Sequence, residues 1–258
     1  MNKLIIDNVE ELSDLIITED TSLLIDLKDS NGLIHVDIMD NICLYVLEFG
    51  NNTKNKVEYN LGENSRVIVN KISVDTSDKV YINLNGRNAS ITYNTSIINI
   101  NNNTYYQVIN HNCSNTSSKV SNHAINISIN DFTFDIDAKV FNESNDCYTY
   151  QDNKIINMGS GQSEIKPNLL VDNNLIEASH SAYIGSFDKN TIFYLQTRGI
   201  EKRQIEELLT IGFLLEKMEL QEEEKGKITI FIKNYIQAVL LHIFHSFSRI
   251  PLISSICS

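Results

Sequence analysis

Residues 66–100, RVIVNKISVDTSDKVYINLNGRNASITYNTSIINI, carry the pattern that decides the fold class. In three runs, Val67–Val74, Val80–Leu84 and Ile91–Tyr93, β-branched and aromatic side chains alternate with polar ones. This alternation is typical of strands that bury one face. Turns rich in Asn, Asp and Ser separate the runs. The sequence therefore predicts short strands joined by polar corners.

The same pattern extends to both sides of this stretch. Further strands are predicted at Leu23–Leu27, Leu33–Ile38, Ile42–Leu47, Ile125–Ile129 and Phe132–Asp137. Their spacing of about 8–12 residues suits a β-sandwich or barrel. Hairpins favour Asn-Gly turns, however, and most corners here have Asn without Gly. Asn tolerates the left-handed backbone conformation, so such corners also suit a β-helix with laddered side chains. Because no strict repeat is visible, the pattern leaves both architectures open.

The composition changes near residue 200. Asn is dense up to that point, whereas residues 201–247 contain only Asn234. Two helices are predicted after this point. The second, from about Ile228 to Phe247, is apolar over most of its circumference. We expect it to be buried on more than one side, against the sheet or another protein. A first helix is predicted before it from the helical spacing of Ile205, Leu208, Leu209 and Phe213.

The charge balance excludes several function classes. The 258 residues include 33 acidic and 21 basic side chains, for a net charge of −12. Nucleic-acid binding needs a concentrated field of Lys and Arg, which is absent from the sequence. The first residues lack the apolar region of a signal peptide, and no run approaches the roughly 20 apolar residues of a membrane span. We therefore expect a cytoplasmic protein with reduced cysteines and neither membrane nor nucleic-acid partners.

One candidate for catalysis is a group of carboxylates. Asp131, Asp135 and Asp137 are predicted to stand on one strand, and the last two share a face. Paired carboxylates cleave glycosidic bonds, so one hypothesis is a β-helix polysaccharide lyase or hydrolase. The simpler interpretation is a solvated polar face on an acidic protein. Met158–Gln162 has two glycines but no phosphate-binding motif, and we interpret it as a turn between strands.

The most informative segment is Ala178–Ile200. We interpret Ala178–Asp188 and Ile192–Thr197 as a pair of strands, with His180 on the first and a helix beginning after Gly199. Taken alone, a single His is more often a structural residue than a metal ligand.

This segment resembles the SufB/SufD family of iron–sulfur cluster assembly proteins, and the SufD side more closely. The family pattern is Ser-His-Gly-Ala-Thr-Ile/Val-Gly, then Asp, then Phe-Tyr-Leu-x-Ser-Arg-Gly-Ile, then a helix ending in Gly-Phe. Lys166–Val171 looks like the Pro-x-Leu-x-Ile strand that precedes it. The matching residues are Ser179, His180, Ala182, Ile184, Gly185, Asp188, Phe193, Tyr194, Leu195, Arg198, Gly199, Ile200, Gly212 and Phe213.

The chain departs from the family pattern at several places. Ser181 replaces a Gly, Tyr183 replaces a Thr, and Thr197 replaces a Ser. SufB-like members carry a Cys six residues before the Pro, where this chain has Gly161, and a Glu beside the His, which is also missing. The sulfur-accepting residues of SufB are therefore absent, which favours a SufD-like protein.

The resemblance implies a right-handed parallel β-helix, mostly β with a small C-terminal helical subdomain. We expect residues 1–20 to form a short N-terminal segment in place of the helical N-terminal domain of full-length members. Residues 21–197 would form the β-helix core and 198–247 the helical subdomain, followed by a tail at 248–258.

The resemblance also implies a function. The chain would be a non-catalytic scaffold subunit of the SUF iron–sulfur cluster assembly machinery, pairing with a SufB-like subunit or with itself. ATP hydrolysis would belong to a SufC-type ABC ATPase docked on the helices. His180 would lie at the scaffold interface as a transient iron ligand, with no stably bound cofactor and at most a cluster shared with the partner. The candidates for ATPase docking are Arg198, Gly199, Ile205, Leu208, Leu209, Phe213, Tyr235 and Val239.

Overall fold

The chain folds into a stack of parallel strands followed by α-helices. The computed structural model describes residues 1–247, and the expected tail at 248–258 lies outside them. The first eight strands are β1 (Asn2–Ile6), β2 (Leu15–Ile17), β3 (Thr21–Lys28), β4 (Leu33–Ile38), β5 (Cys43–Thr53), β6 (Lys56–Leu61), β7 (Arg66–Thr76) and β8 (Lys79–Leu84). The next seven are β9 (Ser90–Asn99), β10 (Asn103–His111), β11 (Ser117–Asn126), β12 (Phe132–Val140), β13 (Cys147–Asn157), β14 (Ser163–Val171) and β15 (Ile176–Gly185). A 3-10 helix, Val9–Leu12, follows β1, and the α-helices are α1 (Lys189–Thr197), α2 (Lys202–Leu215) and α3 (Glu222–Phe247).

Consecutive strands lie in two different sheets. The odd-numbered strands form an 8-stranded sheet and the even-numbered strands a 7-stranded sheet, both in sequence order. Each strand pairs in parallel with the strand two places further along the chain, as β5 does with β7. This is a right-handed parallel β-helix with C-terminal helices. The fold implied by the family resemblance is confirmed, and the sandwich or barrel that the strand spacing allowed is not formed.

The coils of the β-helix lengthen toward the C-terminus. Glu48 and Lys71 are in register on successive coils and are 23 residues apart along the chain. Asn122 and Asn153 are in register on later successive coils and are 31 residues apart. The strands of the 7-stranded sheet lengthen from 6 residues in β8 to 9 residues in β10. The changing coil length explains why the sequence shows no strict repeat.

Asn and Asp occupy the sharp corners of the coils. Among residues 1–247, the non-glycine residues with positive φ are Asp29, Asn41, Asn52, Asn64, Asp75, Asn88, Asn115 and Asp146. Their short polar side chains tolerate this conformation and bond to neighbouring backbone or side chains. Asn88 donates to Oδ1 of Asn64 at 2.8 Å, and Asn64 donates to Oδ1 of Asn41 at 3.1 Å. The prediction of left-handed Asn corners with laddered side chains is confirmed.

Two apolar clusters hold the structure together. One fills the inside of the β-helix, and Leu12 of the 3-10 helix closes its N-terminal end. The other lies outside the 8-stranded sheet, where Ile72 and Ile125 pack with Leu214 of α2 and Ile232 of α3. Helices α2 and α3 therefore cover the outer face of the 8-stranded sheet, as expected for a second helix that is apolar on several sides.

Hydrogen bonds fix these helices to the sheet. The side chain of Asn70 donates to the carbonyl of Glu219 at 2.9 Å and accepts from its N–H at 3.0 Å. His123 donates through Nδ1 to the carbonyl of Phe213 at 3.0 Å, and its ring stacks on that of Phe213. These bonds satisfy backbone groups at the end of α2 and in the connector to α3.

Two boundaries differ from those expected. Strands β1 and β2 lie within residues 1–20 and pair with β3 and β4, so the β-helix already begins at Asn2. The predicted strand at Ile192–Thr197 is wrong, because these residues belong to α1, and the helical region begins near residue 189 rather than 198. The Asp188 carboxylate caps α1 by accepting from the N–H groups of Asn190 at 3.2 Å and Thr191 at 2.9 Å. This cap outweighs the strand propensity of the Ile-Phe-Tyr run.

A buried histidine makes the stability of the fold depend on pH. His111 is fully buried, with Nδ1 2.8 Å from Thr116 Oγ1 and Nε2 2.9 Å from Ser118 Oγ. Burial lowers the pKa of His111 from 6.5 to about 4. Between these two values the unfolded chain binds a proton that the folded chain does not, so acidification favours unfolding.

We expect the free energy of unfolding to fall by about 2 kcal/mol between pH 7 and pH 5 through this group. Urea denaturation at both values, followed by circular dichroism, measures the loss. The variant His111→Gln, which cannot titrate, should show a correspondingly smaller decrease. An equal decrease in the variant would assign the pH dependence to other groups.

Candidate functional site

The C-terminal end of the β-helix is open in the part of the chain that the structure describes. Strands β14 and β15 are the last strands of their sheets, and each pairs with a strand on one side only. The side chains from Glu177 to Ile184 are all exposed, although parallel strands are usually covered. An edge strand presents free backbone groups to which another strand can pair. We call β14 and β15 together the open end.

Half-buried apolar side chains line the inside of the open end. Ile165 and Leu169 of β14 pack on the core but are only partly covered. Pro167 lies between them, and proline suits an edge strand because it has no N–H to donate. The open end thus has an apolar interior and free backbone edges, as expected of a surface that a partner covers.

His180 lies on the inner side of the open end. It is in register with Gln151 of β13, which is fully buried. Residues in register point to the same face of a sheet, so the imidazole continues the inner row above Gln151. Because β15 is the last strand of its sheet, this inward-facing side chain is exposed. The imidazole can therefore meet a group supplied by another chain.

A buried carboxylate supports the strand next to His180. Ser181 donates to Asp152 Oδ1 at 2.7 Å. The other carboxylate oxygen of Asp152 lies 3.5 Å from the amines of both Lys154 and Lys217 and 3.8 Å from His123 Nε2. Burial alone would raise the pKa of Asp152, but the Ser181 hydrogen bond and these charges together lower it. The charged carboxylate thus joins β15 to β13 and to the end of α2.

Tyr183 is an exposed aromatic side chain on the outer side of β15. A Cβ at Gly185 would lie 2.2 Å from the Tyr183 hydroxyl oxygen. The tyrosine therefore folds back over Gly185, and the glycine leaves room for it.

The position of the missing SufB-type cysteine is sterically closed. A Cβ at Gly161 would lie 1.9 Å from the carbonyl oxygen of Asn130, and one at Gly159 would lie 2.0 Å from that of Ser128. The turn predicted at Met158–Gln162 is confirmed, and it stacks directly on the corresponding turn of the preceding coil. No cysteine side chain fits at residue 161 unless the backbone moves.

The three aspartates of the polysaccharide-enzyme hypothesis do not form one cluster on a strand. Asp131 precedes β12 and accepts from the N–H of Gln162 at 2.9 Å, which fixes the turn. Asp135 and Asp137 share the outer face of β12, as predicted. Asp137 accepts from Asn168 at 2.8 Å, as a member of a side-chain ladder does. Burial and then the neighbouring Asp137 raise the pKa of Asp135.

The residues proposed for ATPase docking are divided between the interior and the surface. Ile205 is fully buried, and Leu209, Phe213 and Tyr235 are half-buried. Leu208 is 57% exposed. The side chain of Val239, in α3, lies outside the described part.

The end of α1 contributes two more of these candidates. Arg198 is exposed, and its guanidinium donates to the Tyr194 hydroxyl at 3.0 Å. Gly199 has a φ of 82°, so it ends α1 in the left-handed conformation that favours glycine. Only Leu208 and Arg198, of the candidates with described side chains, offer an exposed side chain to a partner.

Within residues 1–247, no group of three or more His, Cys, Asp or Glu side chains is arranged to hold a metal ion. His180 is therefore a single donor at the open end. None of the described helices combines the length and apolar character required to cross a membrane.

Comparison with known proteins now identifies the family. The family model for "SUF system FeS cluster assembly, SufBD core domain" matches residues 30–213. The chain belongs to this family. The matched range contains the strands from β4 onward, the open end and most of α2, so the SufBD core domain covers most of the β-helix and its first helices. The description of this family is SUF system FeS cluster assembly.

A curated relative supports the SufD side of the family. The chain is similar to the iron–sulfur cluster assembly protein SufD of Bacillus subtilis (strain 168), with 38% identity over 53 residues. The similar stretch covers 20% of this chain and 12% of the relative.

Sequence reasoning missed the polar groups that lie beneath His180. Gln151 and Asp152 are 28 and more residues away along the chain and meet β15 only through strand register. The available signal was weak: Tyr150-Gln151-Asp152-Asn153 is a polar run inside a strand, where an inward-facing side chain should be apolar.

Proposed function

We propose that this SufBD core domain acts as a non-catalytic scaffold that pairs through its open end with a SufB-like subunit or with a second copy. The exposed inner row of β15, with His180 above Gln151, is the observation that carries this proposal. A partner that adds its own terminal strands would continue both sheets and cover the half-buried Ile165 and Leu169.

The proposed cargo is a nascent iron–sulfur cluster shared between the two chains. His180 can supply one neutral imidazole nitrogen, whereas stable clusters rest mainly on cysteine thiolates. The remaining ligands would come from the partner, because position 161 of this chain, where SufB-like members carry a cysteine, has no room for one. Such a shared cluster would be labile, which suits a scaffold that hands the cluster on.

The helical subdomain is the proposed docking surface for an ABC ATPase of the SufC type. Its exposed apolar side chains include Phe193 of α1 and Leu208 of α2, which are 68% and 57% exposed. Ile205 and Phe213 are already used to pack the subdomain, so we assign them a supporting role. Docking would link ATP hydrolysis in the partner to the scaffold, and this chain would hydrolyse nothing itself.

Reconstitution tests the role of His180. The full chain is co-expressed with the SufB-like paralogue and the ATPase of its own organism, and the complex is purified and loaded with iron and sulfide. We expect His180→Ala to leave the complex intact but to lower the bound iron at least about tenfold, because removing even an outer-shell partner of a ligand typically costs that much affinity. Ser179→Ala, on the opposite face of the same strand, is the matched control.

Two outcomes would contradict the proposal. An unchanged iron content in His180→Ala would remove His180 from the cluster site. Failure of the full chain to co-purify with a paralogue, a second copy or an ABC ATPase would reject the scaffold function itself.

A further inference from the structure

A row of polar side chains runs through the inside of the β-helix. Glu48, Lys71, Thr95, Asn122 and Asn153 occupy five successive strands of the 8-stranded sheet and are in register with one another. All five are at most 1% exposed. Inner positions of a β-helix are normally apolar, as they are two residues earlier on the same strands at Val46 and Val69. This polar row therefore needs a physical explanation.

Ionisable groups occupy the N-terminal part of the row. The Lys71 amine donates to Glu48 Oε1 and to Asp78 Oδ2, and all three side chains are fully buried. Asp78 also accepts from the backbone N–H of Asn55 at 2.6 Å and from Thr53 at 3.1 Å. By contrast, Glu48 Oε2 has no hydrogen-bond partner among the described residues.

Amide groups occupy the part nearest the open end. Asn122 donates to Gln107 Oε1 at 3.1 Å and to Asn153 Oδ1 at 2.9 Å, and Gln151 donates to the carbonyl of Asn168 at 3.3 Å. Within the described residues, four atoms of this group remain without a partner: Gln107 Nε2, Asn122 Oδ1, Gln151 Oε1 and Asn153 Nδ2. The side chains that carry them are fully buried.

Two of these four atoms are donors and two are acceptors. Without water, each of these atoms would stay desolvated and unpaired, which is unfavourable. A cation would be repelled by the two N–H groups, and an anion by the two carbonyl oxygens. Water both donates and accepts, and buried water commonly pairs such groups. Of the small ligands, water is therefore the one whose chemistry matches the site.

We propose that the inside of this β-helix binds a file of ordered water molecules that bridges Gln107, Asn122, Asn153 and Gln151. Gln151 is fully buried and lies one strand inside the exposed His180, so this end of the file lies next to the open end. Toward the N-terminus the row continues through Thr95 to Lys71, whose amine pairs with Glu48 and Asp78. This inference rests on the fold and is independent of the proposed scaffold function.

A crystal structure of the full chain at about 1.2–1.5 Å, with side-chain amide orientations assigned from their contacts, tests the proposal. We expect ordered water within about 3.2 Å of Gln107 Nε2 and Asn153 Nδ2. Asn99 is the internal control, because its buried amide donates to Asn126 and accepts from Asn103 and needs no water. In Gln107→Leu, water should be lost at residue 107 and remain at Asn153.

Magnetisation transfer from water to side-chain amides in solution gives a second readout. Signals should appear at Gln107 and Asn153 and be absent at Asn99. The proposal is overturned if the four amide atoms pair with one another directly, or if water reaches only Gln151 at the mouth.

Discussion

Replacing Lys71 by Met is expected to lower the free energy of unfolding by about 3–5 kcal/mol, the usual cost of removing one partner from a buried ion pair. The variant leaves Glu48 and Asp78 facing each other inside the β-helix without a cation. Burial most strongly, and Asp78 in addition, raises the pKa of Glu48 even when Lys71 is present, although Lys71 opposes the shift. Because the variant removes the opposing charge of Lys71, it should raise the pKa of Glu48 further.

This change makes the destabilisation depend on pH. A carboxyl group whose pKa is raised on folding binds more protons in the folded state, so its contribution to stability falls as pH rises. Lys71→Met should therefore be less stable relative to the wild type at pH 8 than at pH 5. Urea denaturation at both values, followed by far-ultraviolet circular dichroism, measures the difference.

Two further variants serve as controls for the ion cluster. Lys225→Met removes an exposed pair with Glu222 and should change stability by less than about 0.5 kcal/mol. Glu48→Gln keeps the Lys71–Asp78 pair and should cost far less than Lys71→Met. A loss below about 1 kcal/mol in Lys71→Met would show that the cluster does not hold its charges as described.

Substituting Ala182 by Asp is expected to weaken pairing at the open end at least about 30-fold. Ala182 continues the inner row above Asn153 on β15 and is exposed in the single chain. A partner that covers the open end would bury the new carboxylate without a counter-charge, at a cost of about 2 kcal/mol or more. Light scattering measures pairing of two copies, and surface-immobilised partner measures binding to the SufB-like paralogue.

Thr104→Asp adds the same charge on an exposed side chain of β10, in the middle of the stack, and should leave pairing unchanged. Equal affinities for the Ala182→Asp and wild-type chains would place the interface elsewhere on the molecule.

Local sequence patterns predicted the strands and corners because these depend on neighbouring residues. Alternation in Val67–Val74 and Asn at the corners follow directly from strand and left-handed backbone preferences. The contact of Glu48 with Lys71 could not be predicted in this way, because the two residues meet only if the coil is 23 residues long. Later coils are longer, so the sequence shows no constant repeat from which this length could be read. A lysine in the inner row of the β-branched run Val67–Val74 was the available signal.

The role of His180 stays a prediction from the family resemblance. The structure adds that this side chain is inward-facing and exposed. The helix at Lys189–Thr197 was missed because one capping carboxylate, Asp188, outweighs three residues with strand propensity. Ile205 was assigned to a docking surface from its helical spacing, but it is fully buried within the chain. Spacing shows which residues share a helix face, but not whether the rest of the protein already covers that face.

The lengthening of the coils has a consequence for polymerisation. In the 7-stranded sheet, β4, β6 and β8 have 6 residues each, whereas β10, β12 and β14 have 9 each. If one chain stacked its narrow end on the wide end of the next, much of the wide edge would lack backbone partners. Two wide ends match each other in strand length. The taper therefore favours a closed pair and disfavours the head-to-tail fibre that an untapered β-helix with bare edges could form.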